Sequence, residues 1–310
     1  MKLMNKNWKY LIVLDACRHD YFKKVYSNYL KGKLKKIKST GRFTVEWAKT
    51  QFTDYYDLIY ISTNPFINSM ISVKQGGIKF EAKKHFSEIV DMWRYDVDPI
   101  KKVVLPKTVN ERVLEKIKKA PKKRMIIHYM QPHYPYIHSN YSKFDKYTKM
   151  KIEKKTDSGF IMSKPYLNPF SEKIKKMIPP KILIKLSKIL GKTSPKIKIL
   201  EEIGEEKLRD AYQKNLEIVL EEVAKLCSNL NGKIVITSDH GEFLGEDGII
   251  GHNFPIESPI LREVPYFELR EVKDKYKKKI IRKDRETTSE TKKITNKKEI
   301  KKRLRTLGYF

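Results

Sequence analysis

The sequence predicts an α/β domain built on a largely parallel sheet. Two observations predict it. Short runs that are apolar on both faces recur along the chain, as strands covered on both sides require. Amphipathic helical patterns lie between them. Tyr10-Leu11-Ile12-Val13-Leu14 is the first run, Asp57 to Ile61 the second, Arg124 to Met130 the third and Lys233 to Thr237 the fourth. The clearest helix runs from Asp210 to Leu226. Tyr212, Leu216, Val219, Leu220 and Val223 share one stripe, with Lys214, Glu217, Glu221 and Glu222 on the other faces.

The alternation breaks between 139 and 205. That stretch is rich in lysine, carries Pro165, Pro169, Pro179, Pro180 and Pro195, and reads as a basic insertion between two core strands, a lid or a surface subdomain. The expected organisation is a catalytic α/β domain over 1–272 with this insertion, then a basic tail over 273–310 that recovers a helical signal at Lys297 to Leu307. Within the insertion, residues 180–192 place Ile182, Leu183, Leu186, Ile189 and Leu190 on one helical face and Lys181, Lys185, Lys188 and Lys192 on the other. Such a helix either packs on the domain as a lid or makes a peripheral contact with an anionic membrane.

The 310 residues carry 67 Lys and Arg against 37 Asp and Glu, a net charge of +30. That balance favours anionic partners. No RNP, zinc-finger or helix-turn-helix pattern is present, so no specific nucleic-acid partner is expected. Two cysteines, Cys17 and Cys227, make no disulfide framework. With no long apolar run and no signal-peptide pattern at the N-terminus, a cytoplasmic setting is expected, at the inner membrane surface if 180–192 makes that contact.

In open α/β sheets the working groups lie beyond the carboxyl ends of the strands. The first strand runs into Asp15, within "LIVLDACRHD". The third runs into "HYMQPHYPYIH", which supplies His128, His133 and His138. The fourth runs into Asp239-His240, followed by a glycine-rich turn and His252. Asp, Asp and His are donor types for a divalent ion of borderline hardness, Zn or Mn, with Ca or Mg as alternatives. Each residue also has a structural reading. Asp15 fits the cap of the following helix, His128 alternates within its own strand and reads as a core histidine, and His138 reads as a surface residue. In "STGRFTVEWAKTQF", Thr44 precedes a helical pattern and reads as its N-cap, beside free N–H groups that suit a phosphate. Arg18 and Arg42 offer the fork geometry of anion clamps.

The combination of "VLDACR", "QPHYPY" and "SDHGEFLGEDGIIGH" resembles the alkaline phosphatase superfamily, and within it the sulfatase-like branch. That branch holds arylsulfatases, lipoteichoic acid synthase and the phosphoethanolamine transferases. The likeness is closest to short archaeal-type sulfatase-like proteins with an "LDACRYD" start, His19 standing here in place of the tyrosine. The resemblance implies an alkaline-phosphatase-like fold and a metal site of Asp15, Thr44, Asp239 and His240 holding one of one or two ions. It implies Thr44 as nucleophile, with Thr40 and Ser39 as fallbacks. His252 would bind a phosphate oxygen, protonate the leaving group or help hold a second ion, and His133 would face the substrate. Cys17, two residues from Asp15 and followed by Arg18-His19-Asp20-Tyr21, departs from the sulfatase cysteine motif. The expected function is therefore metal-dependent hydrolysis or transfer of a phosphate ester, a phosphodiester before others, on a substrate that is lipid- or glycan-linked. The alternatives are a true sulfuric ester hydrolase and a non-catalytic anion-binding protein on the same fold.

Overall fold

The computed structural model describes residues 1–138, 203–252 and 256–277. Residues 139–202 of the insertion expected over 139–205, its amphipathic stretch at 180–192 and nearly all of the basic tail lie outside the described residues. Among those described, no helix is long and apolar enough to cross a membrane.

The chain builds β1 (Tyr10–Leu14), α1 (His19–Val25), β2 (Leu30–Lys38), α2 (Thr44–Gln51), β3 (Tyr56–Ser62), a small ribbon of β4 (Val73–Gln75) and β5 (Ile78–Phe80), β6 (Phe86–Asp91), α3 (Met92–Tyr95), α4 (Pro106–Lys119) and β7 (Arg124–Tyr129). After 203 come α5 (Glu205–Cys227), β8 (Ile234–Thr237), a short pair of β9 (Phe243–Leu244) and β10 (Ile250–Gly251), α6 (Pro259–Arg262) and β11 (Glu263–Val272). Seven strands form one sheet in the order β2-β11-β8-β1-β7-β3-β6. Strands β8, β1, β7, β3 and β6 run parallel, and β11 runs antiparallel to both of its neighbours.

The apolar run at Tyr10–Leu14 explains the centre. Leu11 and Val13 enter the core on one face, and Tyr10, Ile12 and Leu14 enter the core on the other. Burying each large aliphatic side chain is worth about 1.5–3 kcal/mol, so a strand buried on both faces belongs in the middle. Register then places the working ends. Leu14 pairs with Tyr129 of β7, and Val13 pairs with Thr237 of β8. Asp15 and the Ser238-Asp239-His240 turn therefore leave the sheet side by side.

The four expected strands are present within a residue or so of their expected ends. The long helix extends to Glu205–Cys227, entered through Gly204 at φ 83°. Three strands carry no clean sequence signal. β2 alternates lysine with small or apolar residues, as an edge strand does. β6 is the opposite edge and is half exposed. β11 mixes both patterns because its far half meets only the edge strand β2.

Candidate active site

Two turns meet at the carboxyl end of the sheet and fix one another. Ala16 N–H donates to Asp239 Oδ1 at 3.0 Å, and Cys17 N–H donates to Ser238 Oγ at 2.8 Å. Ala16 sits at φ 56°, a left-handed conformation that costs a non-glycine residue of order 1 kcal/mol. Tyr212 of α5 holds it there. Its phenol donates to Ala16 O at 2.7 Å and accepts from Arg18 N–H at 3.0 Å. On the other turn, Gly241 N–H donates to Leu261 O at 2.8 Å. A Cβ at Gly241 would lie 1.9 Å from Ile260 O, so only glycine fits. His240 Nδ1 is 2.9 Å from Gly241 O. A carbonyl can only accept, so Nδ1 carries a proton and Nε2 is the nitrogen turned to the site.

Thr44 is the first residue of α2 rather than its N-cap. Phe43 takes the cap position in an extended conformation (φ −156°, ψ 162°). That shift frees the hydroxyl from capping. Thr44 Oγ1 donates to Asp239 Oδ2 at 2.9 Å, accepts from Asn64 Nδ2 at 3.1 Å and lies 3.4 Å from His240 Nε2. Asn64 Nδ2 also donates to Asp15 Oδ2 at 2.5 Å. His128 is in the core, as its alternation suggests, yet its Nε2 faces the carboxylates, 3.3 Å from Asp15 Oδ2 and 4.0 Å from Asp239 Oδ2. Its Nδ1 is 2.8 Å from the Tyr60 hydroxyl. Asp15, Thr44, Asn64, His128, Asp239 and His240 are all fully buried. Burial drives the Asp15 carboxyl upward; the contact with His128 and the fields of His133 and His240 outweigh it, and the carboxyl sits well below the usual carboxylate range.

A second group adjoins the first. The β9–β10 pair folds the chain back so that the His252 ring lies against His240, centroids 4.2 Å apart and planes tilted by 50°. His252 Nδ1 lies 3.5 Å and His133 Nε2 lies 3.6 Å from Glu242 Oε1. His133 N–H donates to Asp15 O at 3.2 Å, which ties this group to the first. Asn64 and Glu242 are the residues that the sequence reading passed over. Asn64 lies just past the end of a recognised strand, and Glu242 lies two positions after His240 in the most specific motif, so both carried a positional signal.

The remaining candidates lie elsewhere. Ser39 Oγ donates to the backbone carbonyl of Asp239 and so supports the turn. Thr40 Oγ1 accepts from Thr50 and from Gln51, at 2.7 and 2.8 Å. His138 is exposed. Arg18 is not an open clamp: its guanidinium bridges Asp20 at 2.7 Å and Glu246 at 2.6 Å. Burial opposes that charge, and the two ion pairs outweigh it, holding the group above its ordinary value. Arg42 is likewise taken, by Glu46 at 3.0 Å. Cys17 is buried; burial first, then Asp20 and Asp239, push its thiol well above its ordinary range, which suits packing and not reactivity.

Among the described residues, two sets of three buried donors each lie within 4.8 Å of one another: Asp15, His128 and Asp239, and His133, Glu242 and His252. Two fully buried carboxylates drawn together cost several kcal/mol unless a cation sits between them. Oxygen donors mixed with imidazole nitrogen suit a borderline divalent ion. The donor set therefore fits a metal.

No protein-family model and no curated protein matches the chain. Among solved structures, it is similar to the soluble domain of lipooligosaccharide phosphoethanolamine transferase A from Neisseria meningitidis (14% identity, TM-score 0.48, covering 84% of this chain and 75% of that one). It is similar to the C-terminal periplasmic domain of phosphoethanolamine transferase EptC from Campylobacter jejuni (16%, TM-score 0.45, 86% and 79%). A third is a protein in the alkaline phosphatase superfamily from Vibrio parahaemolyticus (10%, TM-score 0.39, 86% and 61%).

Proposed function

We propose that this chain is a metal-dependent enzyme that hydrolyses or transfers a phosphate ester, a phosphodiester before others, through Thr44. The observation that carries the reading is the placement of the Thr44 hydroxyl. It lies at the first turn of a helix, where free N–H groups favour an anion, and it touches Asp239, His240 and Asn64 at once.

Asp15, Asp239, His240 and the Thr44 oxygen would hold one divalent ion, Zn or Mn by donor type, with Ca or Mg as the alternatives. Bound there, the ion lowers the hydroxyl's pKa and neutralises charge on the ester oxygens. The rest is the work of side chains. Thr44 Oγ1 attacks phosphorus, and its proton passes to Asp239 Oδ2, to which it already donates. The bond from phosphorus to the leaving oxygen breaks. That oxygen takes a proton from His252 or His133, the two imidazoles that share Glu242. Water or an acceptor hydroxyl then attacks phosphorus and gives its proton to the imidazole that protonated the leaving oxygen, the phosphorus–Oγ1 bond breaks, and Oγ1 takes its proton back from Asp239. The alternative role of His133, Glu242 and His252 is to hold a second ion instead. Cys17 lies outside the sulfatase cysteine motif, and Thr44, not a cysteine, meets Asp239 and His240, which argues for phosphate over the sulfatase chemistry that a matured cysteine performs.

Thr44→Ala is expected to reduce turnover by roughly four orders of magnitude or more while metal content stays near wild type. Asp239→Asn is expected to lose both. Metal analysis and a panel of phosphomonoester, phosphodiester and aryl sulfate substrates measure this. Full activity in Thr44→Ala, or a preference for aryl sulfates, would sink the reading.

A further inference from the structure

Between β6 and α4 the chain leaves the sheet at the end that carries Asp15 and Asp239. It makes α3 and then a hairpin, in which Val97 and Val104 pair antiparallel. Gln131 Nε2 donates to Val104 O at 3.2 Å, so the hairpin base is tied to the segment that leads to His133. The tip is hydrogen-bonded within itself. Asp98 N–H donates to Val103 O at 3.0 Å and Lys102 N–H to Asp98 O at 2.9 Å. Asp98 Oδ1 accepts from Ile100 N–H at 2.9 Å and from Lys101 N–H at 2.7 Å.

This order presents apolar atoms to solvent. Ile100 is 80% exposed at the tip, and Tyr95 is 41% exposed on the helix before it. They are two of the four large hydrophobic residues exposed among the described residues. A lone exposed isoleucine is ordinary; one held on a fixed tip beside an exposed tyrosine is not. The charges around it are mostly positive, and the two carboxylates are turned inward. Asp96 is taken by Arg112 at 2.7 Å, and Asp98 is spent on backbone N–H groups. Lys102 and Lys107 are exposed and Lys101 half-exposed, and Arg94 lies over the Tyr95 ring at 5.0 Å.

We propose that the hairpin tip, Asp98 to Lys102, docks on an anionic lipid bilayer. Pro99 and Ile100 enter the boundary between headgroups and acyl chains, Lys101, Lys102 and Lys107 meet the lipid phosphates, and Tyr95 lies at the interface. A protein partner is the poorer fit, since a stable protein interface needs about 800 Å² from each side and a five-residue tip supplies a small part of that. A bilayer accumulates affinity residue by residue, from each inserted apolar group and each nearby lysine. The inference does not depend on the ester chemistry.

Because the chain is basic elsewhere too, the readout must be local. Trp8, Trp47 and Trp93 are buried, so an indole introduced by Ile100→Trp in the full chain reports on the tip. Its emission is expected to shift to the blue on vesicles of phosphatidylglycerol and phosphatidylcholine. It should stay unshifted with phosphatidylcholine alone, with soluble polyphosphate, and on raising the protein concentration. Ile100→Asp combined with Lys101→Glu and Lys102→Glu should weaken partitioning to the mixed vesicles by about tenfold or more at an unchanged thermal midpoint. An unshifted indole on the mixed vesicles, an equal shift with polyphosphate or by self-association, or wild-type partitioning of the triple variant overturns the proposal.

Discussion

At the scale of single residues, the site is held by groups that never touch a substrate. Ala16 stays left-handed only because its N–H and C=O both have fixed partners, Asp239 and Tyr212. Tyr212→Phe removes the phenol and leaves the Ala16 carbonyl and the Arg18 N–H unmet in a buried place. At about 1–3 kcal/mol for each buried group left without a partner, a loss of roughly 2–4 kcal/mol in unfolding free energy is expected. Denaturant titration measures it. Metal affinity should fall as well, because the turn that aims Asp15 relaxes. A stability change under about 0.5 kcal/mol would show that the phenol does not hold the turn. The same scale explains the choice of tautomer at His240: a backbone carbonyl fixes the proton on Nδ1, and no ionisable neighbour is needed for that.

At the scale of elements, legibility in the sequence followed burial. β1, β3, β7 and β8 are covered on both faces, so their apolar runs could be read directly. β2 and β6 are edges, and half of each faces water, so their lysines and glutamates mask the strand. Asp15, Asp239 and His240 were legible because a polar group at the end of an apolar run is costly without a purpose. His128 was harder. Its alternation correctly places it in the core, but alternation cannot tell which buried group its Nε2 meets. Thr44 was placed one position early, because the cap here is an extended phenylalanine that offers no side-chain oxygen. The glycine of Asp-His-Gly belongs to this scale too, since it lets the β8 turn press on the carbonyl of Ile260 in α6. Gly241→Ala must move one element off the other. It is expected to cost about 2 kcal/mol or more and to lower metal content together with activity. A variant with wild-type metal content and melting point would mean that α6 yields without cost.

At the scale of the whole molecule, the site is a meeting point of distant segments: residue 15, residues 44 and 64, residues 128 and 133, and residues 239 to 252. A ligand that binds only when these are assembled stabilises the fold by mass action, about 2.7 kcal/mol at a hundredfold excess over its dissociation constant. Adding Zn or Mn to chelator-treated protein should therefore raise the unfolding midpoint, and Asp239→Asn should abolish that rise. An unchanged midpoint in the wild type would argue against a buried ion. The sheet has a further consequence for how the chain is made. Leu30 of β2 pairs with Val272 of β11, and among the described residues β2 has no other neighbour in the sheet. At roughly 5–20 residues per second, the ribosome leaves β2 without its partner for roughly 10–50 s. During that wait its backbone is an open template for the same strand on a neighbouring nascent chain. Lys31, Lys33, Lys35, Lys36 and Lys38 set like charges along that template. They protect the protein before it has a fold, and replacing them with neutral residues should show first as aggregation on crowded polysomes and only later, if at all, in the finished molecule.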